Sequence, residues 1–190
     1  NQQGLEFFGC VVTAFSITAE GGADGGQYKW SATLQTGKKP DLASTASPTI
    51  SAYANTDIPL LSSSSGHKVF NVDVILSSFT ASLENSAVFT GVASDGYEVV
   101  SRGAEIAVSV ETQVKYDGNT KGFVNSFDTQ SAALSGNMFV ITNNNAFGID
   151  VQNGVFTNVA LAEGDLMMLD CAIKSVDDGT DALITFDVSS

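Results

Sequence analysis

Near the start of the chain, Val11, Thr13, Phe15, Ile17 and Ala19 fall on one side of an extended backbone, and Val12, Ala14, Ser16 and Thr18 on the other. A period of two belongs to a strand with one buried face. The pattern predicts a strand over roughly Phe8 to Ala19. GGADGG follows and supplies the positive φ values that a hairpin turn needs. In QYKWSATLQ the residues Tyr28, Trp30, Ala32 and Leu34 alternate with Lys29, Ser31, Thr33 and Gln35. This second strand is expected to pair with the first and to turn Trp30 into the core.

Periodicity then stops from Thr36 to Lys68, a stretch holding Pro40, Pro48, Pro59, His67 and the run Ser62 to Ser65. Loops this long inside a domain tend to be functional or disordered. Leu42, Ile50, Tyr53, Ile58, Leu60 and Leu61 give this one more apolar anchors than a plain linker carries. It is expected to order against something else.

Lys68 to Glu84 returns to strand, with a parity flip near Ser77 and Ser78 that a β-bulge would produce. Asn85 to Gly103 reads as a connection. Ala104 to Tyr116 alternates most cleanly: Ile106, Val108, Val110, Val114 and Tyr116 against Glu105, Ser109, Glu111, Gln113 and Lys115. Thr120 to Leu134 is the one expected helix, closed by Gly136. Short strands follow over Asn137–Thr142, Ala146–Val151, Val155–Ala162, Leu166–Val176 and Asp181–Val188. The expected class is mainly β: one domain over 1–190, a sandwich or open barrel with one packed helix and a long loop after the second strand.

Charge changes the picture more than composition does. Eight Lys and Arg oppose 21 Asp and Glu, for a net charge of −13. Such a balance disfavours adhesion to nucleic acid or to anionic lipid. It also suits plain solubility. No apolar run approaches the roughly 20 residues of a membrane span. Cys10 and Cys171 both sit in apolar runs and are expected to be buried thiols, with a disulfide open if their strands are neighbours.

Catalytic and metal-binding signatures are missing from the sequence. There is no GxSxG, P-loop or Rossmann glycine run. His67, the single histidine, lies in a serine-rich loop where a positioned base is not expected. Asp177, Asp178 and Asp181 lack the ordered spacing of a calcium loop and read as a solvated turn. Glu105 and Glu111 share a strand face but stand about 20 Å apart, too far for joint acid–base work. No cofactor and no enzymatic activity are expected.

GCVVTAFSITAEGGADGGQYKWSATLQTG resembles the N-terminal hairpin of bacteriophage tail tube proteins: a Gly-Cys-Val start, an alternating strand, a Gly-rich turn and a second strand ending in Gly. VFNVDVILSSFTASLENSAVFTG is similar to the family's strand with an F-x-x-x-x-x-N stretch, and RGAEIAVSVETQVKYD to the strand after it. The resemblance implies a structural virion protein whose partners are its own copies. Six would close into a ring, and rings would stack into a hollow tube, assembled in the host cytoplasm, with other tail proteins at its ends. Genomic DNA would pass through it without specific binding, and no membrane would be involved. The long loop, Thr36 to Lys68, would reach a neighbouring subunit or ring.

On that view the polar face of the Ala104–Lys115 strand is expected to line part of the channel, with Glu105 and Glu111 as its charges. Alternation marks a wet face and leaves open whether it meets the channel or the outside. The alternative is a secreted or surface β-sandwich binding or adhesion module, which the Ser-, Thr-, Gly- and Asp-rich composition also suits.

Overall fold

Antiparallel pairing joins ten of the strands into one sheet. The computed structural model describes residues 4–22, 25–38, 41–43, 60–61, 65–94, 98–132, 134–142, 147–162 and 167–188. The elements are β1 (Gly4–Glu6), β2 (Cys10–Glu20), β3 (Lys29–Thr36), β4 (Asp41–Ala43), β5 (Ser65–Val69), β6 (Val72–Asp73), β7 (Leu76–Val92), β8 (Glu98–Lys115), α1 (Gly122–Thr129), β9 (Leu134–Thr142), β10 (Phe147–Leu161), β11 (Met168–Ser175) and β12 (Thr185–Val188). The sheet order is β3-β2-β7-β8-β11-β10-β9-β5-β6, with β12 also paired to β10. β1 and β4 form a separate two-stranded pair. The protein is therefore mainly β, as its alternation predicts.

The sheet curls because β10 serves two layers. Its first part, Phe147–Asp150, pairs with β12, and its later part, Gly154–Leu161, pairs with β11. Register shifts fall between Val151 and Asn153 and between Phe156 and Asn158. Bulges bend a strand and raise its twist, so these let β10 cross from one layer to the other. The result brings Phe79 of β7 within 5.6 Å of Phe139 of β9, although three strands lie between them in the sheet order. Tyr28 bridges the layers at 5.7 Å from Phe79 and 5.5 Å from Phe147. Between the layers lie Ile17, Val110, Val114, Ile141, Ile149, Val151, Leu169 and Ile173, all buried.

The helix closes one margin of this core. Phe123 is buried against Phe156, with ring centroids 5.8 Å apart. Just past the helix, the Gln130 side chain accepts from the Phe156 N–H and donates to the Phe156 carbonyl. A backbone pair left open by the nearby bulge is thereby satisfied.

Several sequence expectations are corrected. The helix is shorter than Thr120–Leu134, because Gln130 is already extended (φ −63, ψ 127) and Leu134 pairs with Gly154. Gly136 does not cap it but lies inside β9. Asn85 to Gly103 is not a connection: β7 runs on to Val92 and pairs with β8 from Glu98. The segments on either side of QNG are one strand rather than two. The strand expected from Lys68 is interrupted by a two-residue turn at Phe70 (φ 48) and Asn71 (φ 63), closing β5 onto β6. Positive φ at both central residues is the type I′ geometry that matches strand twist. The expected bulge at Ser77 is present, between Leu76 and Ser78. Cys10 is exposed and Cys171 buried, and both are free.

Candidate functional surface

No catalytic or metal centre assembles among the described residues. His67 sits on β5, where its carbonyl accepts from the Val74 N–H and burial lowers the imidazole pKa. The acidic turn after β11 is occupied with itself. The Asp178 carboxylate accepts from the Thr180 and Asp181 N–H groups and from Asn153, and the backbone bonds hold its pKa below the usual range. No group of three or more potential metal ligands comes together among the described residues.

What the fold does build is a wide polar face. On the side of the β3-β2-β7-β8-β11-β10 layer turned away from the core, Ser31 pairs with Ser16, Ser16 with Ser82, and Ser82 with Ser109. One step along, Thr18 pairs with Thr80, Thr80 with Glu111, and Glu111 with Ala172. Paired residues share a face, so these rows run straight across the sheet. Six strands about 4.8 Å apart make it roughly 24 Å wide. The Ser16 and Ser31 hydroxyls bond each other at 2.9 Å, and Gln113 donates to Asp170 at 3.0 Å. A depression of about 370 Å³ lies at its centre, lined by Thr80, Glu111, Gln113, Asn158 and Asp170 among others.

Glu111 is exposed at the middle of this face. Glu105 belongs to β8 within the register irregularity between Arg102 and Ile106, and its side chain lies outside the described residues. The charge of the face is close to balanced: by register it carries Glu20, Glu84, Glu111 and Asp170 against Lys29, Lys115 and Lys174. The chain's acidity is placed mostly elsewhere, as in the Asp177–Asp181 turn. Hydroxyls and small side chains define the surface more than carboxylates do.

The second feature is an unfinished edge. β3 has β2 on one side and no strand on the other among the described residues. Trp30 is 70% exposed and Leu34 58%. The expectation that Trp30 packs in the core is therefore overturned: alternation correctly gives its face, but the opposite layer does not extend far enough to cover it. Beside it opens an apolar groove of about 450 Å³ lined by Phe15, Ile17, Tyr28, Trp30 and Phe147. None of these side chains is charged.

The loop anchors divide. Leu60 forms a bridge with Gln27, and Leu61 donates its N–H to the Gly26 carbonyl. Leu61 is 4% exposed and so is buried in its own chain, while Leu60 is half-buried. Gly26 (φ +75) allows this approach, since a Cβ there would stand 2.8 Å from the Leu61 Cβ. The backbone of Leu42 lies on β4 opposite Leu5. Its side chain, and Ile50, Tyr53 and Ile58 entirely, lie outside the described residues.

A third feature escapes the sequence pattern: the far part of the β7–β8 hairpin, from Ala87 to Arg102, where the two strands have no further neighbouring strand among the described residues. Val88, Val92 and Val99 are exposed on it. The sequence signal there is the β-favouring content of AVFTGV and EVV, which glycines and an aspartate interrupt.

No family model and no curated protein matches the sequence. Among solved structures, a chain described as "Virion of native gene transfer agent (GTA) particle" aligns with a TM-score of 0.39 and 11% identity, covering 72% of this chain and 100% of that one.

Proposed function

We propose that this chain is a structural virion protein, the subunit of a phage tail tube whose copies close into rings, six to a ring, and stack around a passage for DNA. The observation that carries this reading is the edge at β3: among the described residues this strand has a neighbour on one side only, and it holds a tryptophan and a leucine in water beside an uncharged groove. Exposed edges are a hazard in a solitary protein and are commonly blunted by charge, proline or a covering element. Here one face of the edge strand bears apolar side chains, Trp30 and Leu34, as an interface buried on assembly does. The resemblance of the N-terminal hairpin to the tail tube family points the same way.

The wide hydroxyl face then lines the channel. DNA carries about one charge per 1.7 Å of axis and binds surfaces that neutralise several phosphates at once. Lys29, Lys115 and Lys174 are dispersed over this face and offset by four carboxylates, so no stripe of cations forms to hold it. The Debye length of about 8 Å limits any repulsion to near contact. Short, locally hydrogen-bonded side chains leave little to catch the moving duplex. The long loop expected over Thr36 to Lys68 holds β4, Leu61 and most of β5 against their own chain, and on this reading its part between β4 and Leu60 contacts a neighbouring copy. Negative-stain imaging of concentrated protein tests this: hollow rings or tubes support it, and a monomer at every concentration refutes it.

A further inference from the structure

The β3 edge is complementary to an inverted copy of itself. Trp30 pairs with Ile17, Ala32 with Phe15 and Leu34 with Val12, so Trp30, Ala32 and Leu34 share the core-side face of the strand. Outward-pointing backbone groups recur at every second residue of a strand. Two identical antiparallel strands therefore meet with a residue facing its own copy on a two-fold axis.

With Ala32 on that axis, Trp30 of each copy stands opposite Leu34 of the other. The two large apolar side chains that β3 leaves exposed then cover one another, with a small side chain at the crowded centre. Leu34 of the second copy arrives beside Trp30, at the rim of the uncharged groove. On the opposite face Ser31 meets Thr33, a favourable cross-strand hydroxyl pair. Lys29, the only charge on β3, faces Gln35, so no like charges oppose. Neighbouring registers are poorer. With Ser31 on the axis, Trp30 faces Ala32, and Gln35 is brought opposite Gln27, whose backbone already bridges to Leu60. With Thr33 on the axis, Trp30 faces Thr36. β3 also holds no proline and no charge at its middle, the devices that keep edges apart.

We propose that two copies of this chain pair through β3 in the Ala32-centred register, as a closed two-fold dimer outside the assembled tube. The pairing stands on the edge alone, and its regulatory meaning rests on the tube reading above. A ring neighbour and an inverted copy would cover the same Trp30 and Leu34, so only one can be present. A two-fold contact joins a patch to itself and does not propagate. The dimer thus holds the edge out of water and withholds it from ring growth. A single strand pair lies at the small end of interfaces, below roughly 1,200 Å². The dimer is accordingly weak and gives way to the more extensive contacts of a ring.

The test is oxidative crosslinking of the full chain carrying Cys10→Ser, which removes the exposed thiol, together with sedimentation below the tube-forming concentration. Directly opposed Cβ atoms stand about 4.5–5.5 Å apart and diagonal ones about 7–8 Å. Ala32→Cys is therefore expected to form a disulfide dimer at least about tenfold faster than Ser31→Cys or Thr33→Cys alone. Mixing the Ser31→Cys and Thr33→Cys proteins should restore crosslinking, since those positions face one another. The oxidised Ala32→Cys dimer should form no rings, and reduction should restore them. A wild-type protein with no dimer, or crosslinking equal at all three positions, overturns the self-pairing and leaves the tube reading intact. Locked dimers that enter tubes overturn the competition. A dimer with the expected crosslinks from a protein that never forms rings supports the pairing and overturns the tube reading.

Discussion

Ile17 and Trp30 stand directly opposite each other across β2 and β3, yet Ile17 is 4% exposed and Trp30 70%. The core ends between these two side chains. Because Trp30 contributes little burial to its own chain, Trp30→Ser is expected to change unfolding free energy by less than about 0.5 kcal/mol. The same substitution is expected to abolish association. Urea unfolding followed in parallel with sedimentation velocity checks both halves.

Phe139 behaves oppositely. It is buried where the curled sheet meets itself, against Phe79. Phe139→Ala removes a ring that holds the two layers together and is expected to cost about 3–5 kcal/mol. Equilibrium denaturation of the dissociated protein measures it.

Glu111 sits among small polar side chains at the middle of the wide face. Glu111→Lys turns four carboxylates against three lysines into three against four. If this face meets DNA, tubes should assemble normally while ejection slows about tenfold, roughly 1.4 kcal/mol on the barrier. Timed DNA release from particles carrying the variant is the measurement, and unchanged kinetics would remove the face from the channel.

The two thiols should part in reactivity. Cys10 is exposed, whereas burial and then the Asp170 charge push the Cys171 thiol up to about 12. A maleimide is expected to label one site in the dissociated native protein and two in urea. The raised value also fixes a sign. The unfolded thiol ionises near 8.5 and the folded one does not, so its contribution is intact below about pH 8.5 and is lost as pH rises toward 12. Between pH 8 and 10 this is about 1–2 kcal/mol, and Cys171→Ala should remove that share of the alkaline loss.

Alternation reads the strands well wherever one face is covered, as in Ala104 to Lys115 and in the first hairpin. It reads the bulge at Ser77 because a bulge is a shift of parity. It fails at Trp30 because periodicity gives a side chain's face and not the extent of the layer opposite. It fails at Asn85 to Gly103 because a ribbon with no further neighbouring strand among the described residues has little buried face to impose a pattern. Asn71 signals the turn after β5, but Phe70 at positive φ is a conformation its own residue type disfavours. Glu111 was legible as a wet position, while the near balance of charge around it depends on which strands are neighbours. The exposed edge depends on tertiary coverage, which no single segment encodes.

The most direct measurement is a reconstruction of the assembled protein from electron cryo-images. The expected map shows a hollow ring in which Trp30 and Leu34 are covered by an adjacent copy and the Ser16–Thr80–Glu111 face looks inward. A map in which Trp30 stays in solvent, or in which lysine-rich surface lines the passage, contradicts it.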